Sequence, residues 1–468
     1  MSEMNYKTYF KGKKITMLGL GLLGRGVNVA KFLAELGAEL TITDLKSAEA
    51  LASSIKQLTK FKNIRYVLGE HRLEDFKSCD MVIKAAGVPI DSPFIAEAMK
   101  NKIPVEMDAS LFVKFTPATI VGVTGTRGKS TVTHLLLHIL ARVYPKHVFV
   151  GGNVRGMATL PLLKKTKIGD IAVLELDSWQ LQGFGDAKLS PHISVFTNFL
   201  PDHLNYYKGD MSKYFDDKAN IFKFQKEDDV LVLSEQVTRV VKKFSWPSLR
   251  PGREPAGSES ADSKLKVKSE MLVARKSIVP KAWKIKIPGE HNRANIACVI
   301  LVCQELDVPK DAIKKGVESF LGVPGRLELV RIVGGVMYYN DTTATTPDGN
   351  KAALEALASK KKKNIVLIAG GADKNLDYTD MARLVHKTVK GLVLIEGAAT
   401  EKLLSLIPKK TSYSVYIVSS MRGALDAARV LARRGDTVLL SPGAASFGVF
   451  KNEFDRGDQF VGLVKNIA

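Results

Sequence analysis

Residues 119–131 read TIVGVTGTRGKST, an apolar strand pattern that runs into a glycine-rich turn and then into a helical pattern. In such a turn, backbone N–H groups can surround phosphate oxygens, the Lys129 ammonium can bridge phosphates and the Ser130 hydroxyl can reach Mg²⁺. The usual first glycine of this motif is Val123 here, and Gly122 lies one residue earlier. The stretch predicts an ATP-binding α/β domain with nucleotide contacts from Gly125, Thr126, Arg127, Gly128, Lys129, Ser130 and Thr131.

Apolar strand patterns alternate with helical patterns on both sides of this turn. Alternation of this kind is typical of parallel sheets, which place their sites along the carboxyl ends of the strands. We therefore predict three α/β domains in series: a Rossmann-like 1–114, a P-loop ATPase-like 115–321 and a Rossmann-like 322–468. Residues 245–263, rich in Pro, Gly and Ser, are predicted to form an exposed connection within the middle domain. The strand patterns lie at 14–18, 41–44, 81–87, 171–177, 192–198, 335–341, 364–370, 391–397 and 436–442.

A second glycine-rich turn follows the first strand pattern as Gly19-x-Gly21-x-x-Gly24, with Asp44 at the end of the next strand pattern. The glycines let the backbone approach a pyrophosphate, and the helix N-terminus supplies unpaired N–H groups. A carboxylate at the next strand end can accept from a ring or ribose donor. Pyrophosphate is common to NAD and to UDP-sugars, so this motif leaves the ligand open.

The composition is that of a globular protein. Of the 468 residues, 25% are charged and 45% hydrophobic, which excludes bulk disorder. Three cysteines are too few for a disulfide framework or a four-ligand zinc site. The first residues lack the apolar core of a signal peptide, and no apolar run approaches about 18 residues. We therefore expect a soluble, cytoplasmic protein without a membrane partner.

The charge balance is strongly basic, with 69 Lys and Arg against 48 Asp and Glu, a net charge of +21. Such an excess attracts nucleotides, phosphosugars or nucleic acid, but it is also found on solvated surfaces without a specific partner. The basic cluster at residues 360–363 has no interleaved aromatic residues. Nucleic acid is therefore not expected as a partner.

Three polar residues downstream of the phosphate-binding turn are candidate metal ligands: Glu175, His203 and Lys218. Carboxylate oxygens suit Mg²⁺, and a neutral imidazole can join them. A lysine is an unusual neighbour for a metal, because its ammonium repels cations. It becomes suitable if the deprotonated amine has taken up CO₂ to form a carbamate, but spacing alone does not lead to that hypothesis.

Six segments occur in a recognisable order: GTRGKST, LELDSWQL, TNFLPDH, YFDDKA, GEHNRAN and SPGAASFGVFKNEFDRGD. With them the chain resembles the Mur ligase family, from Gly19 to Asp458. The resemblance implies that ATP phosphorylates the carboxylate of UDP-N-acetylmuramoyl-L-alanine, and that an amino acid amine then attacks the acyl phosphate. The GLGLLG turn and the SPGAASF segment favour the member of the family that adds D-glutamate, in peptidoglycan precursor synthesis.

The resemblance also implies roles for single residues. Lys129, Glu175, His203 and Lys218 match catalytic positions, with Ser130 and Glu175 at a first Mg²⁺ and His203 and carbamylated Lys218 at a second. The remaining ATP contacts match Asn292, Asn295, Arg326 and Asp341. The UDP-sugar contacts match Gly21, Leu22, Leu23, Asp44, Lys46, Asn153, Ser178, Gln180 and His203. The D-glutamate contacts match Thr345, Lys374, Ser446 and Phe447.

The main departure from the family pattern is Thr343, which stands where a lysine is usual and weakens the D-glutamate assignment. Three alternatives remain open at this point. The nearest is a sister ligase that adds another amino acid. An NAD-dependent oxidoreductase would explain the first 110 residues but leaves the phosphate-binding turn without a role. A basic nucleic-acid-binding ATPase would bind DNA or RNA with strong salt dependence. We expect a monomer.

Overall fold

The computed structural model describes residues 5–467 except 23, 90, 155, 205, 244–268, 360, 361 and 409. The chain divides into two compact units. The first unit comprises the residues up to Val279 together with Ile296–Ile313, and the second comprises Pro280–Asn295 and the residues from Lys314 onward. The first unit contains two sheets and the second contains one.

The first sheet has five parallel strands in the order β3-β2-β1-β4-β5. This order reverses direction between β1 and β4, and a doubly wound sheet binds ligands at the carboxyl ends of the strands beside such a switch point. The strands are β1 (Lys14–Leu18), β2 (Glu39–Asp44), β3 (Ile64–Leu68), β4 (Met81–Lys84) and β5 (Val105–Glu106). The helices are α1 (Tyr6–Phe10), α2 (Arg25–Glu35), α3 (Ala52–Lys56), α4 (Pro93–Lys100) and α5 (Asp108–Phe115).

The second sheet has six parallel strands in the order β11-β10-β9-β6-β8-β7. The central strand β6 and its neighbour β8 are almost wholly buried, which explains their continuous apolar sequences. The strands are β6 (Thr119–Thr124), β7 (Val148–Gly152), β8 (Ile171–Glu175), β9 (Ile193–Phe196), β10 (Val230–Ser234) and β11 (Glu270–Ala274). The helices are α6 (Lys129–Val143), α7 (Ser178–Asp186), α8 (Met211–Ala219), α9 (Glu235–Lys243), α10 (Glu290–Glu305) and α11 (Lys310–Ser319).

The third sheet has the order β12-β13-β17-β14-β15-β16, parallel except for the antiparallel β12–β13 pair. Its strands are β12 (Glu328–Val333), β13 (Val336–Asn340), β14 (Ile365–Gly370), β15 (Val389–Ile395), β16 (Ser414–Val418) and β17 (Thr437–Leu440). The helices are α12 (Pro347–Leu357), α13 (Thr379–Thr388), α14 (Ala398–Leu406), α15 (Met421–Leu431) and α16 (Glu453–Lys465). Apolar clusters on both faces bury β14, β15 and β17 between these helices.

The α/β class and the parallel sheets predicted from the sequence are confirmed. Each sheet lies inside one of the three predicted ranges, although the domain boundaries themselves stay predictions. The predicted exposed connection at 245–263 lies almost wholly in residues that the structure leaves undescribed. Among the helices that it describes, none is long and apolar enough to span a bilayer.

Candidate active site

The phosphate-binding turn lies between β6 and α6, and two residues that follow β9 hold it. The N–H of Thr126 donates to the carbonyl of Asn198 (2.9 Å), and the N–H of Arg127 donates to the Asn198 side-chain oxygen (2.7 Å). A Cβ at Gly125, where φ is +147°, would lie 2.0 Å from the Thr197 hydroxyl, so only glycine fits. Gly128, at φ +84°, begins the helix. The turn is therefore fixed in shape, with the N-terminus of α6 behind it.

The side chains predicted to bridge phosphates (Lys129) and to reach Mg²⁺ (Ser130) begin α6, directly after this turn. The Lys129 ammonium folds back over it and donates to the carbonyls of Gly125 (2.9 Å) and Thr126 (3.3 Å). Ser130 is buried in the first turn of α6, and Thr131 follows it, partly exposed. A cation held above unpaired helix N–H groups forms a site for an anion such as a phosphate chain.

Glu175 ends β8, and its partner in the neighbouring strand is Val123, two residues before Gly125. It is 4% exposed, and its carbonyl accepts from the N–H of Asn153 (2.6 Å). The described residues contain no group of three or more His, Cys, Asp and Glu that could hold a metal ion. Proteins usually bind Mg²⁺ through one or two carboxylates together with substrate phosphates. The Glu175 carboxylate and the Ser130 hydroxyl are hard oxygen donors of that kind.

Lys218, on α8, is the most deeply buried cation near the turn, with 1% of its surface exposed. Its ammonium donates to the carbonyl of Gly125 (3.0 Å) and the hydroxyl of Thr124 (3.4 Å), and lies 5.0 Å from the ring centre of Tyr214. Burial, and then repulsion by Lys129, hold the pKa of Lys218 well below its usual value. The structure thus brings Lys129 and Lys218 to the same carbonyl, that of Gly125.

His203 joins this group through aromatic contacts. Its ring centre lies 4.8 Å from that of Trp179 and 6.2 Å from that of Tyr214, the residue that also faces Lys218. Its Nε2 is 3.9 Å from a carboxylate oxygen of Asp202. The backbone of His203 has φ +53°, a conformation that costs a non-glycine residue energy and often marks functional sites. The pair predicted for the second metal therefore lies around one tyrosine ring.

A buried network that the sequence did not reveal surrounds the residue before Lys218. The Asp217 carboxylate accepts from the Gln182 amide (2.8 Å) and the Tyr207 hydroxyl (2.9 Å). Burial raises the pKa of Asp217, although these two hydrogen bonds oppose the rise. Lys84, at the end of β4, is 2% exposed, and burial lowers its pKa against the attraction of Asp177, Asp186 and Asp217. These contacts fix α8, and with it Lys218.

Asp44 organises the N-terminal glycine turn. One carboxylate oxygen accepts from the N–H groups of Leu20 (2.9 Å) and Gly21 (3.0 Å), and the other accepts from the N–H of Lys46 (3.0 Å). Burial opposes ionisation, but these bonds and the Lys46 ammonium outweigh it and lower the pKa of Asp44. Leu22 is exposed beside the turn, whereas Leu23 lies outside the described residues.

The three other candidates for the sugar side lie on the second sheet. Asn153 is exposed in the turn after β7. Asp177 caps α7 and exchanges hydrogen bonds with Gln180, which is wholly buried, and the Gln180 Nε2 has no partner among the described atoms. Ser178 is buried in the first turn of α7. Gln180 therefore stabilises the start of the helix, a role that sequence reasoning did not anticipate.

In the second unit, three loops at the carboxyl ends of β13, β14 and β17 meet. The Lys374 ammonium donates to the hydroxyl of Thr345 (3.2 Å), which joins the first two loops. Ala372 and Ala445 pair in an antiparallel bridge, which joins the second and third. Ser446 is buried next to this bridge, and Phe447 is 66% exposed. The structure therefore assembles the predicted D-glutamate residues at one sheet edge.

The predicted nucleotide residues of this unit fall into two places. Asp341, at the end of β13, accepts from the N–H of Leu327 (3.1 Å) and the hydroxyl of Ser441 (2.8 Å). Arg326 precedes Leu327 in the same loop. Asn292 and Asn295 are buried in the first turns of α10 and hydrogen-bond each other (3.0 Å).

Two further residues complete this edge. Thr343, where the family pattern has lysine, donates through its hydroxyl to the carbonyl of Gly325 (2.9 Å). Arg456 is wholly buried and donates to the carbonyls of Thr342 (2.8 Å) and Ala444 (3.2 Å) and to the Thr342 hydroxyl (3.1 Å). Burial lowers the pKa of Arg456 to about 10, although Glu453 and Asp341 attract it. The sequence segment FKNEFDRGD contains Arg456. Its partner Thr342 lies 114 residues earlier in the chain, so the segment alone does not reveal the contact.

Comparison with known proteins identifies the family of the chain. Residues 13–106 match the N-terminal domain of MurD-like Mur ligases, 123–303 the Mur ligase middle domain, and 325–443 the glutamate ligase domain of Mur ligases. The UDP-N-acetylmuramoylalanine–D-glutamate ligase of Roseiflexus sp. (strain RS-1) is 37% identical to this chain. The match covers 98% of the chain and 99% of that protein. The chain belongs to the Mur ligase family. The ligase of the same name from Borreliella afzelii (strain PKo) is 35% identical, over 97% of this chain and 98% of its own length.

Solved structures of Mur ligases share the fold. The UDP-N-acetylmuramate–alanine ligase of Thermotoga maritima has a TM-score of 0.59 at 20% identity, covering 97% of this chain and 99% of its own. A MurF ligase from the same organism, in complex with ADP, has a TM-score of 0.59 at 18% identity, covering 99% and 97%. At these identities the likeness establishes the three-domain Mur ligase architecture of the chain and not its substrates.

Proposed function

We propose that this Mur ligase uses ATP to join D-glutamate to UDP-N-acetylmuramoyl-L-alanine in peptidoglycan precursor synthesis. Relatives of that name match the chain from end to end at 32–37% identity. The structural observation that carries the proposal is the convergence of Lys129 and Lys218 on the carbonyl of Gly125, beside the strand that ends at Glu175. The Lys129 ammonium and the N-terminus of α6 attract two anionic reactants there, a phosphate chain and a carboxylate, that would otherwise repel each other.

The first step is phosphoryl transfer. A carboxylate oxygen of the L-alanyl group bonds to the γ-phosphorus of ATP, the bond to the β–γ bridging oxygen breaks, and ADP leaves with the electron pair. Lys129 and the first N–H groups of α6 can balance the charge that develops on the phosphate oxygens. The rigid turn at Gly125 contributes by positioning, which is the larger part of catalysis in phosphoryl transfer.

The second step forms the amide. The amine of D-glutamate attacks the acyl carbon, the tetrahedral intermediate loses phosphate, and the amine gives up a proton. We propose that Thr345, Lys374, Ser446 and Phe447 bind D-glutamate, because an ammonium and hydroxyls suit its two carboxylates. Lys374 and Thr345 already touch, so the loops that carry them need no rearrangement to act together.

We propose that Ser130 and Glu175 hold one Mg²⁺, and that His203 and Lys218 hold a second. Mg²⁺ when bound neutralises part of the phosphate charge. The lowered pKa of Lys218 leaves more of its amine neutral, and a neutral amine can add to the carbon of CO₂, lose a proton and become a carbamate. We further propose that Asn153, Ser178 and the glycine turn beside Asp44 hold the UDP-sugar. A supply of ATP puts the reaction in the cytoplasm, and we expect a monomer.

The test is phosphate release from ATP and Mg²⁺ with UDP-N-acetylmuramoyl-L-alanine and one of four amino acids: D-glutamate, L-glutamate, L-alanine or a diamino acid. We expect release with D-glutamate only. Release with another amino acid would keep the mechanism and overturn the assignment of the third-sheet loops. No release with any of them would overturn the ligase proposal, and ATPase activity with DNA or RNA across a salt series would then be measured.

A further inference from the structure

Arg25 makes a contact that no part of the proposed reaction uses. It is the first residue of α2, directly after Gly24 of the N-terminal glycine turn. Its guanidinium reaches from the first sheet to the turn that follows β7 in the second sheet. Its Nε donates to the carbonyl of Met157 (3.1 Å) and its Nη2 to the carbonyl of Gly152 (3.0 Å). Longer contacts of 3.4 Å join Nη2 to the carbonyl of Val154 and the side-chain oxygen of Asn153.

The turn that Arg25 contacts also hydrogen-bonds to β8, the strand that ends at Glu175. Gly152 has φ +80°, and a Cβ there would lie 2.1 Å from the carbonyl of Glu175. The N–H of Asn153 donates to that same carbonyl (2.6 Å), and the N–H of Gly152 donates to the hydroxyl of Thr159 (2.8 Å). The N–H of Asn153 in this turn therefore bonds to Glu175, and the carbonyls of Gly152 and Met157 accept from Arg25.

We propose that Arg25 is a positioning residue. It fixes the distance between the N-terminal glycine turn and the turn that contains Asn153, so that one UDP-sugar can contact both turns. The proposal rests on the proposed function for the identity of the ligand. The fork of a guanidinium reaches two carbonyls from two different nitrogens, which a lysine ammonium cannot reproduce. Without these hydrogen bonds the turn that contains Asn153 opens more often, and the spacing between the two turns is no longer fixed.

Loss of the Arg25 contact should affect binding of the whole substrate but not binding of UDP alone. In this proposal UDP alone contacts only the N-terminal glycine turn, whereas the whole substrate, with its muramoyl group, also contacts the turn that contains Asn153. We therefore expect Arg25→Lys and Arg25→Gln to raise the KM for UDP-N-acetylmuramoyl-L-alanine about tenfold, since charge-assisted hydrogen bonds are lost. The Kd for UDP alone and the KM for ATP should stay within about twofold, because neither ligand spans the two turns.

The chain offers a matched control at the other end of the same helix. Lys164 pairs with Glu35, the last residue of α2, and so also joins α2 to the segment after β7. Lys164→Gln removes an exposed ion pair of little energetic value and should leave every one of these constants unchanged. A contact between the same elements is thereby removed without touching either turn.

Three measurements decide the outcome. If UDP alone loses as much affinity as the whole substrate, Arg25 is a direct phosphate ligand and the proposal is wrong. If all KM values rise together while the thermal midpoint falls, or if Lys164→Gln behaves like the Arg25 variants, the contact is only structural and the proposal is also wrong. Amide hydrogen exchange at Asn153 without substrate should be faster in Arg25→Lys than in Lys164→Gln, and equal rates would overturn the proposal. That readout does not depend on turnover, so it remains decisive if the proposed ligase activity fails.

Discussion

Arg456 gives the sharpest test of how the third-sheet edge is held together. Arg456→Met removes the donors from two buried carbonyls, those of Thr342 and Ala444, while the Thr342 hydroxyl keeps the carbonyl of Glu453 as its partner (2.7 Å). A buried acceptor left without a donor costs about 1–3 kcal/mol, so the two carbonyls cost about 2–6 kcal/mol. Relief from burying a charge offsets part of this, and we expect a net loss of about 2–4 kcal/mol.

The assay is urea unfolding followed by circular dichroism, together with the KM for D-glutamate. Arg456→Lys keeps the charge and can restore one of the two carbonyl contacts, so it should lose about half as much stability. Arg331→Met serves as the control, because Arg331 also donates to two carbonyls, of Lys465 and Ile467, but from the edge strand β12 and partly in solvent. If Arg456→Met unfolds at the wild-type urea concentration with an unchanged KM for D-glutamate, this reasoning is refuted.

Three further predictions concern the first unit. Lys129→Ala should abolish phosphate release while leaving the unfolding midpoint near that of the wild type, because its hydrogen bonds to the carbonyls of Gly125 and Thr126 lie within one turn; retained turnover would contradict the phosphate-binding assignment. Lys218→Ala should lose most activity, and added short carboxylates should restore part of it; full activity without them would remove the carbamate hypothesis. Asp44 has a lowered pKa in the folded state, so its contribution to stability is present above pH about 3.8 and is lost as the pH falls through the folded value. Asp44→Asn should therefore be less stable than wild type at pH 7 and converge with it in acid, and a constant difference across that range would count against the linkage.

The strands that the sequence predicts are mostly buried ones, although the buried strand β10 was not predicted. Every residue of β14 is buried, and its run of apolar residues is visible without a structure. The edge strands β12 and β16 expose much of their length and read as mixed sequence, so no pattern distinguishes them from loops. The antiparallel direction of β12 could not be predicted either, because a short connection at Gly334 and Gly335 decides it.

Site residues that directly follow a strand could be predicted from the sequence. Contacts between residues that are far apart in the sequence could not. Glu175 and Asp44 stand at the ends of apolar runs, so their location at a sheet edge follows from topology. The partners of Asp44 do not follow, since a carboxylate expected to face a ligand instead gathers the N–H groups of its own turn. The Arg25 fork joins residues 127 and 132 positions apart, a distance over which sequence patterns carry no register.

Lys218 shows why a net charge of +21 says little about a site until the structure is known. In the ammonium form it lies buried against the same carbonyl as Lys129, and repulsion between the two cations adds to the cost of burial. A carbamate at its Nζ would reverse the sign of one charge and turn that repulsion into attraction, at the point where a phosphate chain also needs cations. Burial and Lys129 favour the neutral amine, which is the form that adds to CO₂, whereas Asp177, Asp202 and Asp217 favour the ammonium and would repel a carbamate. The effect of burial and of Lys129 is a physical reason for the carbamate hypothesis that spacing in the sequence could not supply.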